Sequence, residues 1–113
     1  MVEPKIREFL NKNGIRAYME RPAAPPEKYV VIDKTGSVSS NGITNHTLAV
    51  QSVAGRLSEA AQLNEEVKKL LLQNEIPGIS GISLSNDYNY TNLAAKEYRY
   101  QAVYIVSSLE LED

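Results

Sequence analysis

The sequence predicts an α+β domain: a single, mostly antiparallel β-sheet of about five strands with two helices packed on one face. Three observations predict it. Five segments read as strands and are joined by turn-like connections, which favours antiparallel pairing. Two further segments carry apolar residues at helical spacing. The chain has 113 residues, 42% hydrophobic and 23% charged, which suits one domain over 1–113 with a core that needs no staples. Two helices cannot cover both faces of such a sheet, so the other face is left to solvent or a partner.

The first helix is expected over 2–13. Val2, Ile6, Phe9 and Leu10 form one apolar stripe, Pro4 suits the first turn, and Gly14 after Asn13 is a stop signal. Ile15 to Glu20 reads as a strand. Arg21–Pro26 holds three prolines and breaks regular structure. Tyr29 to Lys34 has a nearly continuous apolar start and is expected to be a central strand. Thr35 to Gly42 is small, polar and glycine-containing, and is read as a long hairpin loop. No Lys-Ser/Thr pair follows Gly42, so this is not a P-loop.

Ile43 to Val53 alternates loosely, with His46, Leu48, Val50 and Ser52 on one face. The second helix is expected over 58–73, with Ser58 as N-cap and Ala60, Leu63, Val67, Leu70 and Leu71 as its apolar stripe. Glu65, Glu66, Lys68 and Lys69 are expected on its solvated face, with Glu65 and Lys69 as an i,i+4 pair. Asn74 to Gly81 is a turn. Ile82, Leu84, Asn86, Tyr88 and Tyr90 alternate with Ser83, Ser85, Asp87 and Asn89 as a half-buried strand. Thr91 to Lys96 is a short connection. Glu97 to Ser107 is the last strand, with Tyr98, Tyr100, Ala102, Tyr104 and Val106 on one face. The acidic end, 109–113, is expected to fray.

Composition limits the chemistry. Twelve Lys+Arg against fourteen Asp+Glu give a net charge of −2, not the basic excess of a nucleic-acid binder. The chain has no cysteine and one histidine, which excludes disulfides, thiol catalysis and thiolate metal sites. His46 has no sequence partner that would make it a catalytic base. The adjacent glutamates Glu65 and Glu66 diverge by about 100° on a helix and form no convergent acid pair. No catalytic residue, cofactor or metal ligand is expected, so the chain reads as a non-enzyme. No apolar run is long enough to span a membrane, and no secretory signal is present, so the cytoplasm is the expected compartment.

Tyrosine is the unusual residue: there are seven, with one Phe and no Trp. If the last two strands pair, Tyr88, Tyr90, Tyr98, Tyr100 and Tyr104 are expected to form a ladder on one face. Such a ladder serves as core, as a protein interface, or as a stacking surface for single-stranded nucleic acid. The last use also needs a positive groove, and Lys96 and Arg99 are the only cations near.

The order of parts resembles the tail terminator and minor tail proteins of long-tailed bacteriophages and prophages, the group that includes lambda minor tail protein U. The likeness rests on the short helix Val2–Asn13, the proline-containing stretch Arg21–Pro26 before the strand Tyr29–Ile32, and a polar hairpin before Thr47–Val53. It continues with the helix opened by Ser58-Glu59-Ala60-Ala61 and the late segment Tyr98-Arg99-Tyr100-Gln101-Ala102. It covers 2–106, and there is no catalytic signature to match. The resemblance implies a virion assembly protein that acts in the tail after assembly in the host cytoplasm. It implies a ring of six on the tail tube that stops tube growth and joins the tube to the head–tail connector or neck. Tail tube protein and neck protein are then the partners, with neither nucleic acid nor membrane. The loop Thr35–Gly42, with Gly36 and Gly42, and the turn Pro77–Gly81, with Gly78, are the contact candidates by position in the fold. A neck connector and a small protein-binding module are the alternatives.

Overall fold

A computed structural model describes residues 2–95 and 97–109. The acidic residues Glu110, Glu112 and Asp113, and Lys96 beside the tyrosines, lie outside the described residues. The element order is α1 (Glu3–Lys12), β1 (Ala17–Tyr18), β2 (Tyr29–Ser40), β3 (Ile43–Ala54), α2 (Leu57–Leu72), β4 (Gly81–Asn89) and β5 (Tyr98–Leu109). The strands form one sheet in the order β1-β2-β3-β5-β4. The architecture is α+β, as expected, with a mixed and mostly antiparallel sheet.

Strands β3 and β5, the inner two of the four long strands, pair antiparallel along their whole lengths, from Ile43–Leu109 to Ala54–Tyr98. Register places Val30, Ile32, Leu48, Val50, Ala102, Tyr104 and Val106 on one face. These residues join Ile6 and Leu10 of α1 and Leu63, Val67 and Leu71 of α2 in a single buried cluster. Within that cluster α1 packs chiefly on β1 and β2, and α2 on β3, β5 and β4. Pro4 lies in the first turn of α1, and Gly14 beyond its end has φ +84°. Asn11 fixes the next segment: its side chain donates to the Ala17 carbonyl and accepts from the Ala17 N–H.

Several expectations need correction. The first strand shrinks to two residues and pairs parallel with β2, at Ala17–Val30 and Tyr18–Val31. Asn11 saturates its outer side, and the prolines that follow cannot extend the ladder. Strand β2 is second from the edge, so β3 takes the central place. Thr35–Gly42 is not a long loop. Strand β2 runs on to Ser40, and only Asn41 (φ +54°) and Gly42 (φ +81°) turn the chain. Positive φ at both central residues is the tight hairpin turn for which Asn-Gly is suited. A bulge between Lys34 and Gly36 lets the strand continue past the polar run.

Helix α2 begins at Leu57 rather than after Ser58. Arg56, with an extended backbone, precedes it, and its carbonyl accepts from the Ala60 N–H without any side-chain cap. The last strand reaches Leu109, two residues beyond its expected end, because β3 offers partners up to Ile43.

Among the described residues Tyr104 is the largest fully buried side chain, at 0% exposure, and its hydroxyl has no hydrogen-bond partner. A buried hydroxyl without a partner costs stability that its deletion returns. Tyr104→Phe is therefore expected to melt at or above the parent temperature, whereas Tyr104→Ser is expected to lose ~3–5 kcal/mol by the large-to-small cavity rule. In the hairpin, Gly42→Ala is expected to cost ~1 kcal/mol, read as a lower urea midpoint, because an L side chain resists positive φ.

Candidate assembly surface

Strand β4 decides where the tyrosines go. Ile82 and Leu84 pair with Val106 and Tyr104, on the helix-covered face. A second bulge, between Leu84 and Asn86, then shifts the alternation. After it, Asp87 pairs with Ala102 and Tyr88 with Gln101. One extra residue in a period-two pattern moves every later side chain to the opposite face. The expected five-tyrosine ladder does not form.

Tyr98, Tyr100 and Tyr104 share the helix-covered face by register, the first two half-buried and the third interior. Tyr88 and Tyr90 stand on the other face, 36% and 42% exposed. Their rings meet edge-on at 5.9 Å, and the Arg99 guanidinium lies 4.6 Å from the Tyr90 ring centre. The Arg99 Nε donates to the Tyr90 carbonyl at 2.7 Å, which fixes the cation over the ring. A polar rail crosses this second face. Gln51 Nε2 donates to Gln101 Oε1 at 2.9 Å, and Gln101 Nε2 donates to the Tyr88 hydroxyl at 2.5 Å.

Beside the rail run Val31, Ala49, Val103 and Ile105. The same face continues to the hairpin end with Val38, Ile43 and Leu109, all exposed. No described helix covers this side. At its lower end the proline stretch reaches it through Arg21. There Arg21 bonds to the buried Glu97 carboxylate, which Arg99 Nη1 also binds at 2.9 Å. Tyr29 sits in this corner, and burial raises its phenol pKa while Arg21 opposes the rise.

The glycine candidates separate. Gly36 lies at the β2 bulge with open space where a Cβ would stand. Gly42 forms the exposed hairpin turn. Gly78 has φ +83°, and a Cβ there would come within 2.7 Å of the Lys5 ammonium, so that turn packs on α1 rather than standing clear.

The charged face of α2 is also rearranged. Lys68 is not on a solvated face; its side chain is 16% exposed. It donates to Asp87 Oδ2 at 2.5 Å and pairs with Glu65 at 2.7 Å, so Glu65 pairs with Lys68 as well as facing solvent. Buried Asn64, one turn earlier, donates to Asp87 Oδ1 at 2.7 Å. Sequence reasoning missed Asn64 and Asp87. Asn64 shares the i,i+4 row of Ala60 and Lys68, which was a usable signal; Asp87 reaches that row only because of the bulge. His46 is buried with the apolar residues of its face, and its Nε2 lies 3.0 Å from the Ser108 hydroxyl. Among the described residues no three His, Asp or Glu side chains group as metal ligands, and no helix is long and apolar enough to cross a membrane.

No protein-family profile matches the chain, and no curated protein matches its sequence. Among solved structures the fold is similar to that of a chain in the virion of a native gene transfer agent (GTA) particle. The two are 14% identical, with a TM-score of 0.71 over 95% of this chain and 93% of that chain. The likeness at that identity is one of fold, and it spans both chains almost end to end.

The Asp87 cluster has a pH signature. The Lys68 ammonium is held above its ordinary pKa of 10.5, chiefly by its hydrogen bond to Asp87 and then by that to Glu65. Burial, and then Asp87 and Glu65, raise the Tyr104 phenol above its ordinary 10.0. The folded state thus keeps protons that the unfolded chain releases from pH 10 upward, so stability falls as pH rises through that range. Urea midpoints are expected to drop above pH 10, and Tyr104→Phe and Lys68→Met are each expected to flatten the drop.

Proposed function

We propose that the chain is a structural component of a phage-like particle, acting as a tail terminator without catalysis. On this reading it forms a ring of six on the tail tube, stops tube growth, and presents a face to the head–neck connector. The observation that carries the proposal is the near end-to-end likeness of fold to a chain of a gene transfer agent virion. The order of sequence elements that resembles tail terminators supports it from an independent direction.

The architecture suits the task. A ring subunit needs two different contact surfaces, because neighbours in a cyclic assembly meet head to tail. The helices occupy one face of the sheet, while the other face and the hairpin end present Tyr88, Tyr90, Val38, Ile43 and Leu109. Gly36 and Gly42 lie on that hairpin, and Gly78 buttresses α1 from behind. Partners of this reading are the tail tube protein and the neck protein; the site is the virion tail.

Particles lacking the chain provide the test. Tubes of uncontrolled length, without attached heads, are expected by electron microscopy. Tubes of normal length without heads would remove the terminator role and leave that of a neck connector.

A further inference from the structure

The two borders of the sheet are unequal in the same way. On one side, β1 covers β2 only at Val30 and Val31, and Asn11 blocks the outer side of β1. Above that point, from Asp33 to Ser40, β2 is exposed, and no described strand pairs with its outer side. On the other side, the lower half of β4 is also stopped. The Asp87 N–H is taken by its neighbour Asn86 Oδ1 at 2.8 Å, and the Thr91 N–H by Asn89 Oδ1 at 3.0 Å. The upper half, Gly81 to Leu84, has no partner on its outer side among the described residues.

These open half-edges lie at one level. Lys34, Leu48, Tyr104 and Leu84 form a single row across the four long strands. Each edge strand has its bulge next to that row, and each is open on the hairpin side of it. Strands β2, β3, β5 and β4 alternate in direction, so β2 and β4 run opposite ways. A copy placed beside another with the same axial orientation therefore brings β4 antiparallel to β2, the favoured arrangement. The helix-side residues of β2 turn their N–H outward, as Val30 does toward the Arg16 carbonyl, so Ser37 and Ser39 offer edge groups with no backbone partner among the described residues. Neither open stretch contains proline, and only Lys34 and Asp33 at the base of one carry charge, although natural edges are ordinarily guarded by such residues. Each instead carries an exposed apolar side chain, Val38 at 70% and Leu84 at 39%.

We propose that the open half-edge of β4, Gly81–Leu84, adds as an antiparallel strand to the open half-edge of β2, Gly36–Ser40, in a second copy of this chain. The junction is heterologous: it uses one edge from each copy and leaves the other edge free for the next, so it propagates until the circle closes. The blocked lower halves set the level at which copies meet. The two bulges bend both edges at that level and keep neighbours in step. This inference deepens the ring reading above and rests on it.

Because the chain has no cysteine, introduced pairs report the junction without background. Gly36 and Ser83 lie on the second face, at the same level of the sheet by way of Thr47 and Ile105. The space around Gly36 admits a side chain. Across a non-hydrogen-bonded antiparallel pair the Cα atoms are about 4.5 Å apart, within disulfide reach. The full-length double variant Gly36→Cys/Ser83→Cys, and the neighbouring pair Val38→Cys/Ser83→Cys, are oxidised with glutathione disulfide over rising protein concentration. At least one pair is expected to give a ladder of cross-linked multimers, while each single variant stays uncross-linked. Ser37→Pro, which removes one outward N–H, is expected to weaken association by roughly tenfold or more and to melt as the parent does. Cross-linked dimers from a single variant would overturn the proposal in favour of like edges pairing. Double variants that give no ladder would overturn it outright. Rings by negative stain with no ladder would sink this junction and keep the ring reading; a ladder with open filaments would keep the junction and sink the ring.

Discussion

The full-length pairing of β3 with β5 is the constraint on which the other parts depend. One strand comes from the middle of the sequence and the other from near its end, so the central ladder ties together residues far apart in the chain. Once Leu48 lies beside Tyr104 and Val50 beside Ala102, one face of the sheet is apolar and must be covered. Helices α1 and α2 cover it, and β2 and β4 extend it on either side. Hydrophobic burial supplies the drive, and the ladder decides which residues are buried.

The edge strands depart from that regular pattern, and their departures carry information. Each has one bulge, near the same row of the sheet. The bulge in β2 carries a small, polar, glycine-containing run into a strand. The bulge in β4 turns Asp87 toward α2 and Tyr88 away from it. An acidic side chain is thereby brought over the core edge, where Asn64 and Lys68 satisfy it. A half-buried carboxylate without those two donors would be strongly unfavourable. The cluster thus locks an edge strand to a helix at the place where the strand's own alternation fails.

The resulting molecule is one-sided. It measures 44 × 26 × 25 Å. One face is closed by α1 and α2; the other carries a polar rail, a tyrosine pair under an arginine, and an apolar strip. On the assembly reading proposed above, a subunit must stay soluble alone and still present surfaces that fit a neighbour. Polar side chains on the rail and the local capping of half of each edge serve the first need, and the uncovered face and half-edges serve the second.

How much was legible beforehand differs by element. Both helices were readable because their apolar stripes repeat over two or more turns, and the strand cores Tyr29–Ile32, Leu48–Val53 and Ala102–Val106 were readable from burial-prone side chains. The absence of cysteine, the single histidine and the near-neutral charge set aside whole classes of chemistry without any structure. Local sequence could not supply the bulges. Alternation reads straight through Ser85, and the polar run from Thr35 reads as a loop, since an extra residue is chosen by the partner strand rather than by the residue itself. For the same reason the tyrosines appeared as one ladder, when register splits them into a core group and a surface pair. A strand was legible between Ile15 and Glu20, but its shortness and its parallel pairing were not, because only Asn11 and β2 fix the two residues that remain. Composition and periodicity determined what this chain buries and what chemistry it lacks. Long-range register decided which face each side chain reaches and which edges remain open.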